Sequence, residues 1–147
     1  MLYNFKHVRE KAQREQMEKM EADGVCLFCR EHIETYHREP IEEEGDFWLL
    51  TKNDFPYEGT EIHYLIVYKP HIQHLAEVEP AAWNEFGELI RTLHKRLPLP
   101  GGALFMRFGD TDYNGSSISH LHAHIMVGAP HTEEAEAIRV KLGYKKI

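Results

Sequence analysis

Residues 119–128 read Ser-His-Leu-His-Ala-His-Ile-Met-Val-Gly, with His120, His122 and His124 on every second position. Side chains alternate between faces along a strand, whereas a helix repeats every 3.6 residues. The pattern predicts a β-strand with three imidazoles on one face and Leu121, Ala123, Ile125 and Val127 on the other. That apolar set has to enter a core, so the fold must cover at least one face of this strand. Successive imidazoles stand about 6.6–7 Å apart along it. A plain solvent-facing polar edge is a poor account of three identical side chains in register, even with 11 His in the chain. Three uses stay open: a metal site, a substrate-directed set, or a division between the two. A single zinc ion on all three is disfavoured, because near-collinear ligands on one strand match a tetrahedral ion badly.

Residues 4–22 are charged helix formers without Pro or Gly, stopped by Asp23-Gly24, and Phe5, Val8, Ala12, Met17 and Met20 form a thin apolar stripe. They predict a helix lying on the body. Residues 25–44 are polar after Gly-Val-Cys-Leu-Phe-Cys and give no clear element. Strands are predicted at 46–52 and 62–68, separated by a loop containing Pro56 and Gly59. Pro80 opens a helix whose Trp83, Phe86, Leu89, Ile90, Leu93 and Leu97 share a core face, and Pro98 ends it. Residues 103–108 predict a third strand, 109–117 a loop rich in Gly, Asp, Asn and Ser, the histidine stretch a fourth strand, and 132–142 a short helix. Strands mixed with two main helices indicate an α+β domain containing antiparallel pairs.

At 147 residues the chain matches one domain in size, and its 42 % hydrophobic content suffices for an ordinary core. Seventeen Lys+Arg against 24 Asp+Glu give a formal net charge of -7, which argues against a nucleic-acid surface but not against a small anion in a local pocket. Two cysteines are too few for a secreted disulfide scaffold, and the charged N-terminus lacks a signal-peptide core. No run approaches the roughly 20 apolar residues needed to span a bilayer. The expectation is a soluble, cytoplasmic, single domain with no membrane partner.

Cys26 and Cys29 have the C-x-x-C spacing at which two thiolates chelate one tetrahedral zinc. A redox pair or two buried small hydrophobes are the other readings, and no thioredoxin-like βαβ pattern surrounds them. Two further ligands would have to come from histidines: His71 and His74 of Lys-Pro-His-Ile-Gln-His, or one end of the triad. Spacing does not choose among them. Phosphate chemistry is the alternative use of the triad, since imidazole can attack a phosphoryl group and form a phosphoramidate. Its second ring nitrogen then needs an acceptor, and a further acid must help the leaving group depart. Ser117, Ser119 and backbone N–H groups around Gly115 can donate to phosphate oxygens.

Taken together these residues resemble the histidine triad (HIT) family, whose signature alternates three histidines with apolar residues and closes on two apolar residues. Here it reads His120-Leu-His-Ala-His-Ile-Met126. Asn-Gly-Ser-Ser-Ile-Ser stands where the family has a Gly-Gln-Ser/Thr-Val stretch, and Asn53-Asp-Phe-Pro-Tyr57 followed by 62–71 resembles its Asn-x-x-Pro-Tyr loop and Pro-Lys-x-His strand. Cys-Leu-Phe-Cys resembles the element that opens many zinc-containing bacterial members. The resemblance covers about residues 25–128. It implies a single domain, with 1–24 a helical extension, 25–128 the core and 129–147 a tail, built on an antiparallel sheet of about five strands and forming a homodimer.

The resemblance also implies a nucleotidyl hydrolase or transferase acting on phosphoramidates or phosphoanhydrides, with an adenine nucleotide as ligand. By it, His122 is the nucleophile and His124 contacts phosphate and assists the leaving group. Asn53 holds the ribose, while Ser117, Gly115 and Ser116 form the phosphate loop. Structural Zn2+ is implied on Cys26, Cys29, His71 and His120, with His74 and His63 as the competing choices for the third position. Three departures stand out. Ser116 replaces the usual Gln, Ile62 the usual Gly, and Val127-Gly128 the Pro-Arg of many members. A zinc-stabilised nucleotide-binding module without catalysis is the competing function.

Overall fold

The computed structural model describes all 147 residues. Five strands pair antiparallel throughout: β1 (Ile41–Glu44), β2 (Trp48–Lys52), β3 (Ile62–Tyr68), β4 (Ala103–Arg107) and β5 (His122–Val127), in the order β1-β2-β3-β5-β4. The helices are α1 (Lys11–Ala22), α2 (Arg30–Tyr36), α3 (Pro80–Arg96) and the single turn α4 (Thr111–Asn114). This is the expected α+β architecture. No helix is long and apolar enough to cross a membrane.

Strand alternation sorts the sheet into two faces. Trp48 and Leu50 of β2, Tyr64, Ile66 and Tyr68 of β3, and Ala123 and Ile125 of β5 pack with Leu121 against Ala82, Leu89 and Leu93 of α3. Glu85 of α3 ties the β1–β2 turn to this layer by accepting from the backbone N–H groups of Asp46 (2.6 Å), Phe47 (2.8 Å) and Trp48 (2.7 Å). The opposite face carries Leu49, Leu65 and Val67, covered by Tyr3, Met17, Met20, Leu27, Phe28 and Ile33 from the N-terminal region. The row of imidazoles lies on this second face, so it is roofed rather than solvent-facing: His122 is 7 % exposed.

The structure departs from expectation in four places. The N-terminal helix begins at Lys11 rather than residue 4, because Tyr3 bridges to Ile118 and Asn4 N–H donates to the Ser117 carbonyl, pulling the first residues alongside the approach to β5. An additional edge strand, β1, arises from Ile-Glu-Glu-Glu, whose charges face partners far away in sequence: Glu44 pairs with Arg30 and Lys69, and Glu42 with Arg96. Trp83 is 40 % exposed at the edge of the α3 layer, where Ala82 takes the interior position instead. Residues 132–142 form no helix; after a turn at Thr132–Ala135 that stretch is irregular, with Lys141 C=O accepting from Arg107 Nε at 2.9 Å.

Candidate active site and metal centre

Cys26 and Cys29 flank the turn into α2, His71 follows β3, and His120 precedes β5. Folding brings their donor atoms within 4.8 Å of one another. Cys26 Sγ lies 3.5 Å and Cys29 Sγ 3.8 Å from His120 Nδ1, Cys29 Sγ 3.3 Å from His71 Nδ1, and the two imidazole Nδ1 atoms are 3.1 Å apart. Metal–ligand bonds of about 2.0–2.3 Å require edges of about 3.3–3.8 Å in a tetrahedron, close to the four separations just given, so small side-chain adjustments let this donor set close around one zinc ion. His120 Nε2 faces the Tyr68 carbonyl, which can only accept; the proton therefore sits on Nε2 and leaves Nδ1 as a lone pair aimed at the cluster. Burial raises the Cys26 thiol, and burial followed by the Cys26 neighbour pushes Cys29 up to about 12, so a cation seated here displaces thiol protons. His71 joins this cluster, whereas His63 stands elsewhere on the sheet and His74 lies against Gly109.

The same proton accounting assigns the other two triad members. His122 Nδ1 is 2.6 Å from the His120 carbonyl and so carries the proton, which leaves Nε2 as a free lone pair. His63, diagonal to His124 across β3 and β5, accepts at Nδ1 from the Tyr57 backbone N–H (3.1 Å). A neutral His63 must then hold its proton on Nε2, which donates to His124 Nδ1 at 2.8 Å. His124 consequently keeps its proton on Nε2, a buried donor without a partner inside the protein. Nucleophile-like and donor-like imidazoles thus stand side by side, ring centroids 4.9 Å apart. Phe28, inside the Cys-Leu-Phe-Cys turn, packs edge-on against His122 at 4.9 Å, and Phe105 of β4 stacks on His124 at 4.7 Å.

These groups line an open pocket together with Asn53, Ser117, Gly115 and Ser116. All the residues expected at a substrate site therefore converge here. Their free hydrogen-bonding capacity differs. Ser116 hydroxyl donates to the Ile118 carbonyl at 3.1 Å and its N–H donates to Asn114 Oδ1, so its polar groups serve the loop itself. Gly115 takes φ 78° to end α4, and its N–H returns to the Thr111 carbonyl. Ser117 alone of the three keeps an uncommitted hydroxyl and N–H. Asn53 Oδ1 accepts from the Phe55 N–H at 2.9 Å, and its amide nitrogen lies 3.3 Å from His63 Nε2 at the pocket wall. Sequence reasoning did not single out His63 as a proton-orienting partner, nor Phe28, Tyr57, Arg9 and Arg107 as pocket residues. His63 was visible as a polar residue on the triad face of an otherwise apolar strand; the others come together only through the fold.

Burial holds His122 down to about 4 and His63 to about 3, with Arg9, His122 and Arg107 adding to the effect at His63; His124 is lowered well below the usual imidazole value. The pocket imidazoles are thus neutral near pH 7. Unfolding returns His63 to about 6.5, so the unfolded chain binds more protons below that pH, and stability is full above it and lost as pH falls toward about 3. Each such histidine should steepen the loss by up to about 1.4 kcal/mol per pH unit. With zinc held saturating, unfolding free energy should decline between pH 6.5 and 4.5, and His63→Gln should flatten that slope. An unchanged slope in the variant would show that His63 already titrates normally in the fold.

Residues 53–131 match the family model described as HIT domain. No curated protein matches the chain in sequence. Among solved structures, the chain resembles one described as Hit Like Protein, at 21 % identity and TM-score 0.54 over 66 % of this chain and 93 % of that one. It also resembles a hypothetical histidine triad nucleotide-binding protein from Sulfolobus tokodaii strain7 (19 %, TM-score 0.55, 82 % of each chain). A histidine triad nucleotide-binding protein from Candida albicans is similar too (18 %, TM-score 0.53, 71 % of this chain and 82 % of that one). At these identities the likeness is one of fold.

Proposed function

The chain belongs to the HIT domain family, and from that premise we propose that it is a nucleotidyl hydrolase or transferase working through a covalent His122–nucleotidyl intermediate. Its substrates on this reading are phosphoramidates or phosphoanhydrides of an adenine nucleotide. The observation that carries the reading is the complementary tautomer pair: a free lone pair on His122 Nε2 beside an unpartnered N–H on His124 Nε2. His122 Nε2 attacks the α-phosphorus. The bond to the leaving group breaks, and that group departs with its electron pair, hydrogen-bonded by His124 Nε2–H and protonated from solvent. The His120 carbonyl stabilises the cationic imidazole adduct through His122 Nδ1–H. Water then attacks phosphorus and releases a proton to solvent, and the P–N bond returns its electrons to His122. Ser117 donates to the phosphate oxygens and Asn53 to the ribose.

Cys26, Cys29, His71 and His120 would hold a structural zinc ion, as in zinc-containing bacterial-type members, and the ion would cross-link the start of the core to the strand that presents His122. On this account residues 1–24 are a helical extension, 25–128 the core and 129–147 a tail of one domain, and the protein acts in the cytoplasm as a homodimer.

Comparing kcat/KM for adenosine phosphoramidate, diadenosine polyphosphates, ADP and adenylyl sulfate tests the assignment. Saturable turnover of at least one is expected. Tight AMP binding with no turnover of any would favour a non-catalytic nucleotide-binding module instead.

A further inference from the structure

Two cations of the pocket remain outside the chemistry just described. Arg107 of β4 is the register partner of His122, so its side chain leaves the sheet on the triad face. Its Nη1 donates to Tyr57 Oη at 3.2 Å and its Nε to the Lys141 carbonyl. Arg9 reaches the same tyrosine from the N-terminal segment: its guanidinium lies 3.9 Å from the Tyr57 ring centroid, and Nη2 donates to the Phe55 carbonyl at 3.0 Å. Tyr57 itself sits 6.0 Å from the His124 ring.

Neither guanidinium has a carboxylate partner, in a chain with 24 acidic residues and net charge -7. Arg14, Arg30, Arg38, Arg91 and Arg96 each have one. Bringing two like charges to one aromatic ring is unfavourable unless an anion sits between or beside them. The imidazoles around them are neutral, so they add no positive charge. A single phosphodiester-like α-phosphate is satisfied by N–H and O–H donors, but each additional phosphoryl group brings charge that calls for guanidinium partners.

Resting on the nucleotidyl-transfer reading, we infer that Arg9 and Arg107, braced by Tyr57, form a subsite for a second phosphoryl group, and that the substrates are nucleoside 5′-phosphoanhydrides rather than phosphoramidates. In the bond-breaking step the bridging oxygen departs from the α-phosphorus with its electron pair as part of a phosphate or polyphosphate. His124 Nε2–H hydrogen-bonds that oxygen as it leaves, and the two arginines hold its charge. Arg9 and Arg107 are specificity-determining residues on this account, while His122 and His124 carry out the exchange.

Binding to the His122→Asn protein reads the subsite without turnover. ADP should bind at least about tenfold more tightly than AMP, the effect of one or more charge-assisted contacts. Arg9→Gln and Arg107→Gln should each remove most of that advantage, and Arg107→Lys should restore part of it. In the otherwise native protein, the ratio of kcat/KM for diadenosine triphosphate to that for adenosine phosphoramidate should fall at least about tenfold in either Gln variant. Equal affinity for ADP and AMP in the parent, or parallel loss of both in the Gln variants, overturns the subsite. Absence of turnover with every substrate would refute the nucleotidyl-transfer reading, and the ADP-to-AMP affinity ratio would still decide the subsite.

Discussion

Replacing His122 with asparagine should lower turnover by at least about a thousandfold, as expected when a nucleophile is removed. Nucleotide affinity should change little. Asparagine keeps a short polar side chain able to donate toward the His120 carbonyl, so the local backbone has no cause to rearrange. It lacks a nucleophilic ring nitrogen. Ser117, Asn53 and the rest of the pocket wall stay in place to hold the ligand. A variant that still turns over at near the parent rate would remove His122 from the chemistry and leave the pocket without a nucleophile in the assigned tautomer.

Stripping the Cys26–Cys29–His71–His120 centre should have the largest effect on stability. A metal present at a thousand times its dissociation constant stabilises by about 4 kcal/mol. For a chain of this size that corresponds to a thermal midpoint about 8–16 °C higher. Strong chelation, or Cys26→Ser, should therefore lower the midpoint by that order, while His74→Ala, outside the cluster, should leave the metal content of the protein intact. The consequence for activity is indirect. His120 provides the carbonyl that orients His122, and Phe28 within the chelating turn packs against the His122 ring. Loss of the metal loosens both. Purified protein without zinc by elemental analysis, and with a midpoint insensitive to chelator, would contradict a structural centre here.

Much of this arrangement is written in local sequence. The period-two alternation of 120–127 specified both the strand and its division into an imidazole face and a core face, because a register slip of one residue would bury the histidines in the α3 layer. The α3 helix, from Pro80 to the residues before Pro98, was legible for the same reason, through its apolar stripe. What remained hidden depends on contacts between distant residues. The Ile-Glu-Glu-Glu run of β1 looks like a polar loop until Arg30, Lys69 and Arg96 arrive to neutralise it. The 132–142 stretch has helix-forming residues with Ala135, Ile138 and Leu142 at helical spacing, yet it settles as an irregular tail held by Arg107 and by Tyr144 stacked on His7. Within the site, the histidines and cysteines announced themselves by spacing, and the family resemblance apportioned their roles. The Tyr57–His63–His124 proton order could not be read that way, since it is set by one backbone N–H and one cross-strand contact.

During turnover His122 Nε2 should become covalently bound to phosphorus. The most direct measurement is rapid quenching of a single turnover with an adenylylated substrate, followed by digestion with trypsin and mass spectrometry under conditions that preserve phosphoramidates. One nucleotidyl group should appear on the peptide from Phe108 to Arg139, localised to His122 and missing from His122→Asn. Product formation at the full rate with no adduct at His122 at any quench time, or an adduct on another residue, would contradict it.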